Sequence, residues 1–195
     1  MNIDFEAPHL EADPWGYEQL WYERRRRQLI AALLPQPDLG HVLEIGCSIG
    51  LISALLAPRA QRLDAVDMSH TAVQLAQQRL RSFAHAQVHH GNVLDLWPSQ
   101  RLDTVLLCDV GYYWQRADLQ TLGKRLQAQL SDNGFVLLAH WRHPFEAVVT
   151  PTQQVHDTVI AHSQLQVQLH YADADWLVHG LSRHGRSVAQ QEGLA

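Results

Sequence analysis

Cysteine is nearly absent from this sequence, with only Cys47 and Cys108 in 195 residues. Two widely spaced thiols exclude a disulfide framework, and both are expected to stay reduced. No apolar run approaches the ~20 residues that a membrane-spanning helix needs. The amino terminus, Met1-Asn2-Ile3-Asp4-Phe5-Glu6, lacks the basic start and apolar stretch of a signal peptide. A cytoplasmic protein with no membrane partner is therefore expected. Positive charge is also short: 15 Lys and Arg against 20 Asp and Glu, a net charge of -5. That balance argues against a nucleic-acid partner, which calls for a basic face. The one basic cluster, Arg24 to Arg27, lies in a helical pattern, so its members point around the helix and form no single patch. Histidine is abundant, at thirteen. Even so, there is no H-E-x-x-H pair and no C-x-x-C, and no metal site is expected. What these absences leave is a small-molecule partner, for a monomer or homodimer.

The length suits one ordinary domain, able to bury roughly 70% of its unfolded surface. Strand and helix signals alternate along most of the chain, the mark of βαβ units and a parallel sheet. A first helix is expected to open near Asp13, with Asp as cap and Pro14 in the first helical position. The stripe Leu29, Ile30, Leu33, Leu34 continues it and Pro35 stops it. Strands are expected at His41–Ile45, Arg62–Val66, Ala86–His89, Leu102–Leu107 and Phe135–Ala139. Helices are expected over Ile49–Ala57, after the Ser69 cap, and through Leu119, Leu122 and Leu126. Asn133-Gly134 reads as the turn into the fifth strand. Leu165–Tyr171 and Trp176–Leu181, joined by a short turn, read as an antiparallel hairpin. The fold class is thus α/β: a doubly wound, Rossmann-like, mostly parallel seven-stranded sheet with a carboxy-terminal hairpin, the order of class I methyltransferases. Residues 1–40 are read as a helical cap over a cofactor cleft and residues 41–195 as the sheet domain, one compact domain overall.

The segment Glu44-Ile45-Gly46-Cys47-Ser48-Ile49-Gly50 follows a strand and opens a helix. Glycines there let the backbone approach a ligand, and ligands of doubly wound sheets bind beyond the carboxyl ends of the strands. Asp67 ends the second strand, where a carboxylate accepts hydrogen bonds from a ribose diol. That ribose occurs in nicotinamide cofactors and in S-adenosylmethionine alike, so Asp67 alone does not choose. G-x-G-x-x-G is missing, and Glu44 stands two residues before the first glycine. An acidic residue there suits a ligand with an ammonium and a sulfonium in place of a pyrophosphate, so S-adenosyl-L-methionine, with S-adenosyl-L-homocysteine as product, is the expected cofactor. Its binding set is expected to include Trp15, Tyr22, Arg26, Glu44, Gly46, Cys47, Ser48, Gly50, Asp67, Met68, Asn92, Val93 and Cys108. Within it, Tyr22 and Arg26 stand four apart on one helical face and can meet the methionine carboxylate.

The chain resembles the nodulation-type, NodS-like N-methyltransferases over nearly its whole length. The resemblance rests on Asp13-Pro14-Trp15, Trp21-Tyr22-Glu23, Leu43 to Gly50, Ala65-Val66-Asp67-Met68-Ser69 and Tyr112-Tyr113. His140-Trp141-Arg142-His143-Pro144 and Val155-His156-Asp157 complete it. It implies a lidded pocket and methylation of an amine, on a sugar-derived substrate in the founding members. Two positions depart from the family pattern. Gly91-Asn92-Val93 stands where the family tends to show Asp, and the Asn92 amide oxygen can still accept from the adenine amino group. After strand four the family tends to read Ser-Glu-Val-Leu-Tyr-Tyr, whereas this chain has Cys108-Asp109-Val110-Gly111-Tyr112-Tyr113. The shorter acid and the glycine reshape the acceptor pocket.

Methyl transfer needs an aligned, desolvated and unprotonated nucleophile. Asp109, Tyr113 and His140 are the catalytic candidates: Asp109 to hold an ammonium or take its proton, or else to act as a capping carboxylate; His140 as an inward-facing base; Tyr113 as a pocket wall. Tyr112, Arg142, His143 and His156 are the substrate candidates, with aromatic faces for a cation and Arg142 for an acidic or hydroxylated group. One of the two tyrosines is expected to be core, since neighbours point apart. His156 is read as part of a lid between strands five and six. The alternatives are an O-methyltransferase, a nicotinamide oxidoreductase or a non-catalytic binding module.

Overall fold

In the computed structural model, residues 4–10, 13 and 15–195 are described, Leu10 by its backbone alone. Pro14, expected at a helix start, lies outside them. The chain forms two compact units, residues 1–96 and 97–195. Among the described residues no helix is long and apolar enough to cross a membrane.

The first unit is built on α1 (Trp21–Leu33), β1 (Gly40–Ile45), α2 (Leu51–Leu56), β2 (Ala60–Asp67), α3 (His70–Leu80) and β3 (Ala86–His90). Its three strands are parallel, in the order β3-β2-β1. Helix α1 starts at Trp21, eight residues later than the Asp13 signal suggested, behind Leu20, which offers no side-chain cap. The Asp13 carboxylate instead accepts from the amides of Tyr17 (2.6 Å) and Glu18 (3.0 Å), closing a turn. The other end of α1 is held from outside the helix. Arg59 donates to the carbonyls of Ala31, Leu34, Gln36 and Pro37, which a helix end would otherwise leave without partners. Ser69 caps α3 as expected, accepting from the Ala72 amide at 3.0 Å.

Strands β1 and β2 are buried through Val42–Ile45 and Leu63–Val66, as parallel strands covered on both faces should be. Two buried residues in them are acidic, Glu44 and Asp64. Asp64 accepts from His41 (2.7 Å), Arg62 (2.8 Å) and His89 (2.9 Å). The period of two explains the gathering: Asp64 lies opposite Leu43 and Gln87, so His41 and His89 are one same-face step away on either side. Burial opposes ionisation of Asp64, but the bonds from His41, Arg62 and His89 outweigh it and hold the carboxyl well below the usual range.

The second unit contains β4 (Leu102–Cys108), α4 (Arg116–Gln129), β5 (Leu130–Trp141), α5 (Thr152–Ser163), β6 (Gln166–Ala172), β7 (Trp176–Ser182) and the short α6 (Val188–Gln191). Strand order is β4-β5-β7-β6; β4 and β5 are parallel, and β7 is antiparallel to both its neighbours. Asn133-Gly134 does not precede the strand but lies inside β5, which begins at Leu130; residues 131–134 form an irregularity there, where the register with β4 shifts between Leu102–Leu130 and Thr104–Phe135. On α4, Leu119, Leu122 and Leu126 are fully or almost fully buried, each contributing about 1.5–3 kcal/mol of hydrophobic burial. Gly123 on the same helix lets α5 come close: a Cβ there would lie 2.8 Å from that of His162. Three parallel strands in the first unit, and a parallel pair with an antiparallel hairpin in the second, are the mostly parallel α/β arrangement expected of this class.

Candidate functional site

In the first unit the loop after β1 carries three left-handed residues in five, Gly46, Ser48 and Gly50, at φ 74°, 47° and 76°. Gly50 has a second reason to be glycine. A Cβ there would stand 2.9 Å from the Cβ of Ala76 and 3.0 Å from its Cα. The loop is pinned to β2 by Gly46 N–H (2.8 Å) and Cys47 N–H (3.1 Å), both donating to the Val66 carbonyl. The Asp67 carboxylate accepts from the amides of Ser48 (2.7 Å) and Ser69 (2.9 Å). Two acceptances leave about half of a carboxylate's capacity for a diol.

Glu44 is fully buried beneath this loop. Its partner is the Ser53 hydroxyl, which donates to it. Burial, with the Asp67 charge adding, pushes the Glu44 carboxyl up to about 8, so at neutral pH it holds its proton. Cys47, expected among the ligand contacts, is buried against Ala65, Ala76 and Val88. Burial and the nearby Glu44 and Asp67 push its thiol well up. Met68 is exposed. Asn92 is exposed and its amide oxygen accepts from Leu94 N–H at 2.9 Å, while Val93 is buried.

The aromatic N-terminal segment divides. Trp15 is 40% and Trp21 63% exposed. Tyr22 and Arg26 do share a face, the guanidinium 5.6 Å from the ring centroid, and Arg26 is buried with Glu23, 3.6 Å away. Sequence reasoning missed His9. Its Nδ1–H donates to Phe5 O (2.9 Å), so its Nε2 accepts from the Ser48 hydroxyl at 2.9 Å, and its ring meets Trp15 edge-on at 5.2 Å. A lone histidine in an irregular segment carries no pattern that would reveal this. Arg79 was missed as well: it donates to Ile49 O and pairs with Glu18.

In the second unit Cys108 ends β4, buried. Asp109 follows at φ 53°. Its backbone donates to Ala139 O (2.9 Å) and its carboxylate accepts from Trp141 N–H (2.7 Å), which ties it to the end of β5. The next turn, Gly111–Tyr113, presents both tyrosines. Tyr112 is buried and Tyr113 half-buried, as one-in-one-out reasoning expected. The rings do not point apart, however. In a 3-10 turn they meet edge to face at 4.7 Å, and Phe145 meets both. Burial, then the Asp109 charge, pushes the Tyr113 phenol up, which places that carboxylate's field on this ring.

His140 and His156 correct the sequence expectations. Both are fully buried. The His140 Nε2 accepts from Gly111 N–H at 3.0 Å and its Nδ1 meets His156 Nε2 at 2.9 Å, so both nitrogens have internal partners and neither is offered as a base. His156 stands on α5, not on an exposed lid. Its Nδ1 meets His179 Nδ1 at 2.8 Å, and burial first, then His140, His179 and His170, pushes it well below the usual imidazole range. Arg142 and His143 are exposed and engaged with the β6–β7 turn, Arg142 with Asp173 O and His143 with Asp175 at 2.8 Å. Among the described residues no group of three or more His, Cys, Asp or Glu is arranged to hold a metal.

The family model for Nodulation protein S (NodS) matches residues 5–142. Nodulation protein S of Sinorhizobium fredii is 27% identical over 64% of this chain and 59% of its own length. That of Azorhizobium caulinodans is 32% identical over 52% of this chain and 49% of its own. The chain therefore spans roughly half the length of these relatives. Among solved structures, a chain of Pseudomonas syringae described as a candidate methyltransferase is 34% identical, with TM-score 0.73, over 84% of this chain and all of that one. N-methyltransferase NodS of Bradyrhizobium japonicum, solved with S-adenosyl-L-homocysteine, shares the fold at TM-score 0.75 and 21% identity, over 90% of this chain and 94% of that one.

Proposed function

Because the chain belongs to the NodS family and has the fold of S-adenosylmethionine-dependent methyltransferases, we propose that it transfers a methyl group from S-adenosylmethionine to an amine nitrogen of a small polar acceptor. The observation that carries the cofactor half is Glu44. A buried carboxyl kept protonated by its surroundings fits a ligand whose own ammonium and sulfonium would take the place of that proton. Asp67, with acceptor capacity to spare, fits the ribose diol, and the Tyr22–Arg26 face fits the methionine carboxylate. The bound cofactor supplies an electrophilic methyl carbon.

The amine half rests on Asp109, Tyr112 and Tyr113. An ammonium is attracted to a carboxylate and to ring faces, and it must lose its proton before its lone pair can attack. Asp109 accepts that proton in this reading. The half-buried tyrosine turn strips water from the nitrogen, which orients and desolvates it together.

The test uses the purified chain, methyl-labelled S-adenosylmethionine, and glucosamine beside N-acetylglucosamine as acceptor probes. Label is expected on the free amine alone. Label on a hydroxyl of both probes would replace the amine reading with O-methylation. Asp109→Asn keeps an acceptor for Trp141 N–H and removes the base, so turnover should fall by roughly 10²–10⁴. Asp67→Ala should weaken S-adenosylhomocysteine binding by about 1–3 kcal/mol, read by calorimetry; NADH binding in its place would overturn the cofactor assignment.

A further inference from the structure

Three histidines that the reaction above does not use form one continuous chain. His140 is on β5, His156 on α5 and His179 on β7, 16 and 23 residues apart in sequence. The direction of the chain is set at one end. A backbone N–H always donates, so Gly111 leaves His140 Nε2 as an acceptor, and the neutral ring carries its proton on Nδ1. That proton points to His156 Nε2. His156 then carries its own proton on Nδ1, pointing to His179 Nδ1, and His179 is left with its proton on Nε2. No other order satisfies the three contacts with neutral rings.

We propose that His140 and His156 are positioning residues that fix the Gly111–Tyr113 turn, and with it the acceptor-side tyrosines, through this one-directional chain. The proposal rests on the reading of Tyr112 and Tyr113 as the acceptor wall. The turn is gripped at two points. His140 holds the Gly111 amide and meets the Tyr112 ring edge-on at 5.5 Å. The Tyr112 carbonyl accepts from the amides of Val149 (2.8 Å) and Thr150 (3.0 Å). The glycine is part of the device. A Cβ at residue 111 would lie 2.9 Å from His140 Nε2 and 2.5 Å from Val155 Cγ1, so a side chain there would push the imidazole off the amide. The chain is not a proton route, because its inner end stops at a backbone amide, which is too weak an acid to pass its proton on. It needs every ring neutral. The groups facing it are consistent with that: His156 meets only other imidazoles, and His170 stacks on His179 at 4.8 Å. Two carboxylates lie near it: Asp157 acts on His179 at the outer end, and Asp109 accepts from Trp141 N–H, the residue after His140.

The first test is nitrogen NMR of the full chain. His140 and His156 should show the Nδ1–H tautomer and His179 the Nε2–H tautomer; an Nε2–H proton on His140, or an imidazolium at His156 at pH 6.5, would overturn the chain. The second is hydrogen exchange in H140L and H140Q. Leucine removes the acceptor, whereas glutamine places an amide oxygen near the former Nε2. Exchange of the 111–114 amides, and of Val149 and Thr150, should quicken by at least about tenfold in H140L and be largely restored in H140Q. Equal protection in both variants would mean that His140 only fills space. S-adenosylhomocysteine affinity serves as the control and should not change. If the exchange result holds but glucosamine is never methylated, the acceptor reading fails and the chain stands. If glucosamine is methylated and H140L leaves the turn protected, the chain fails and the acceptor reading stands.

Discussion

The two units bury polar groups differently. The strand carboxyls buried are Glu44 and Asp64, in residues 1–96, and the imidazoles buried against one another are His140 and His156, in residues 97–195. In the first unit Asp64 is surrounded by Arg62, His41 and His89 and stays ionised, while Glu44, a few residues from the same sheet positions, meets only a hydroxyl and stays protonated. In the second unit His140, His156 and His179 satisfy one another and a backbone amide. A buried group whose partners are all internal is a structural element. A buried acid that holds a proton for want of a cation can respond to a charged ligand. By that measure the Glu44 loop is where the protein is adjustable, and the histidine chain is where it is rigid.

The sharpest way to break the comparison is at Gly50. Its φ of 76° and the 2.9 Å approach to Ala76 mean that Gly50→Ala combines left-handed strain with overpacking. It should lower stability by about 2–4 kcal/mol, read by denaturant unfolding; a change below 1 kcal/mol would show that the loop is not held tightly against α3. Next in size is the pH response of Glu44. Its folded value near 8 lies above the ordinary 4.5. The stability it contributes is therefore complete below about pH 4.5 and declines as pH rises toward 8. Glu44→Gln should flatten that decline. Binding runs the other way. A cationic ligand favours the ionised form, so S-adenosylmethionine, which carries an ammonium and a sulfonium, should bind more tightly as pH rises from 6 to 8 and release a proton. Calorimetry in buffers of different ionisation enthalpy would detect this, and no proton release would remove Glu44 from the ligand's surroundings. The smallest effect is expected at Trp21, 63% exposed. Trp21→Ala should change stability by less than about 0.5 kcal/mol, and a larger loss would restore it to a packed cap.

Much of this architecture can be read along the chain because it is set by neighbours in sequence. The Ser69 cap lies three residues from the amide it binds, and the leucines of α4 repeat at helical spacing. The E-x-G-x-S-x-G loop is contiguous. The misread features depend on distant residues or on missing signals. Helix α1 begins behind Leu20 with no capping side chain, so the Asp13 signal, which caps a turn, looked like the start. Asn133-Gly134 is a strong turn pair in isolation, but it falls inside the span of β5, at the register shift between the Leu102–Leu130 and Thr104–Phe135 pairs. The Asp64 cluster needs three strands in register before it exists. His140 and His156 have the residue types of catalytic bases, and only their partners show that their nitrogens are already committed.

Cys47 also bears on chemical self-protection. An electrophilic methyl donor bound at a loop that includes a thiol invites alkylation of the protein itself, because thiolate is the reactive form of cysteine. This thiol is packed among Ala65, Ala76 and Val88 and held in its protonated form by burial and by the acids beside it. Burial does most of this and the neighbouring acids add to it, so the packing that shapes the loop also keeps its sulfur unreactive.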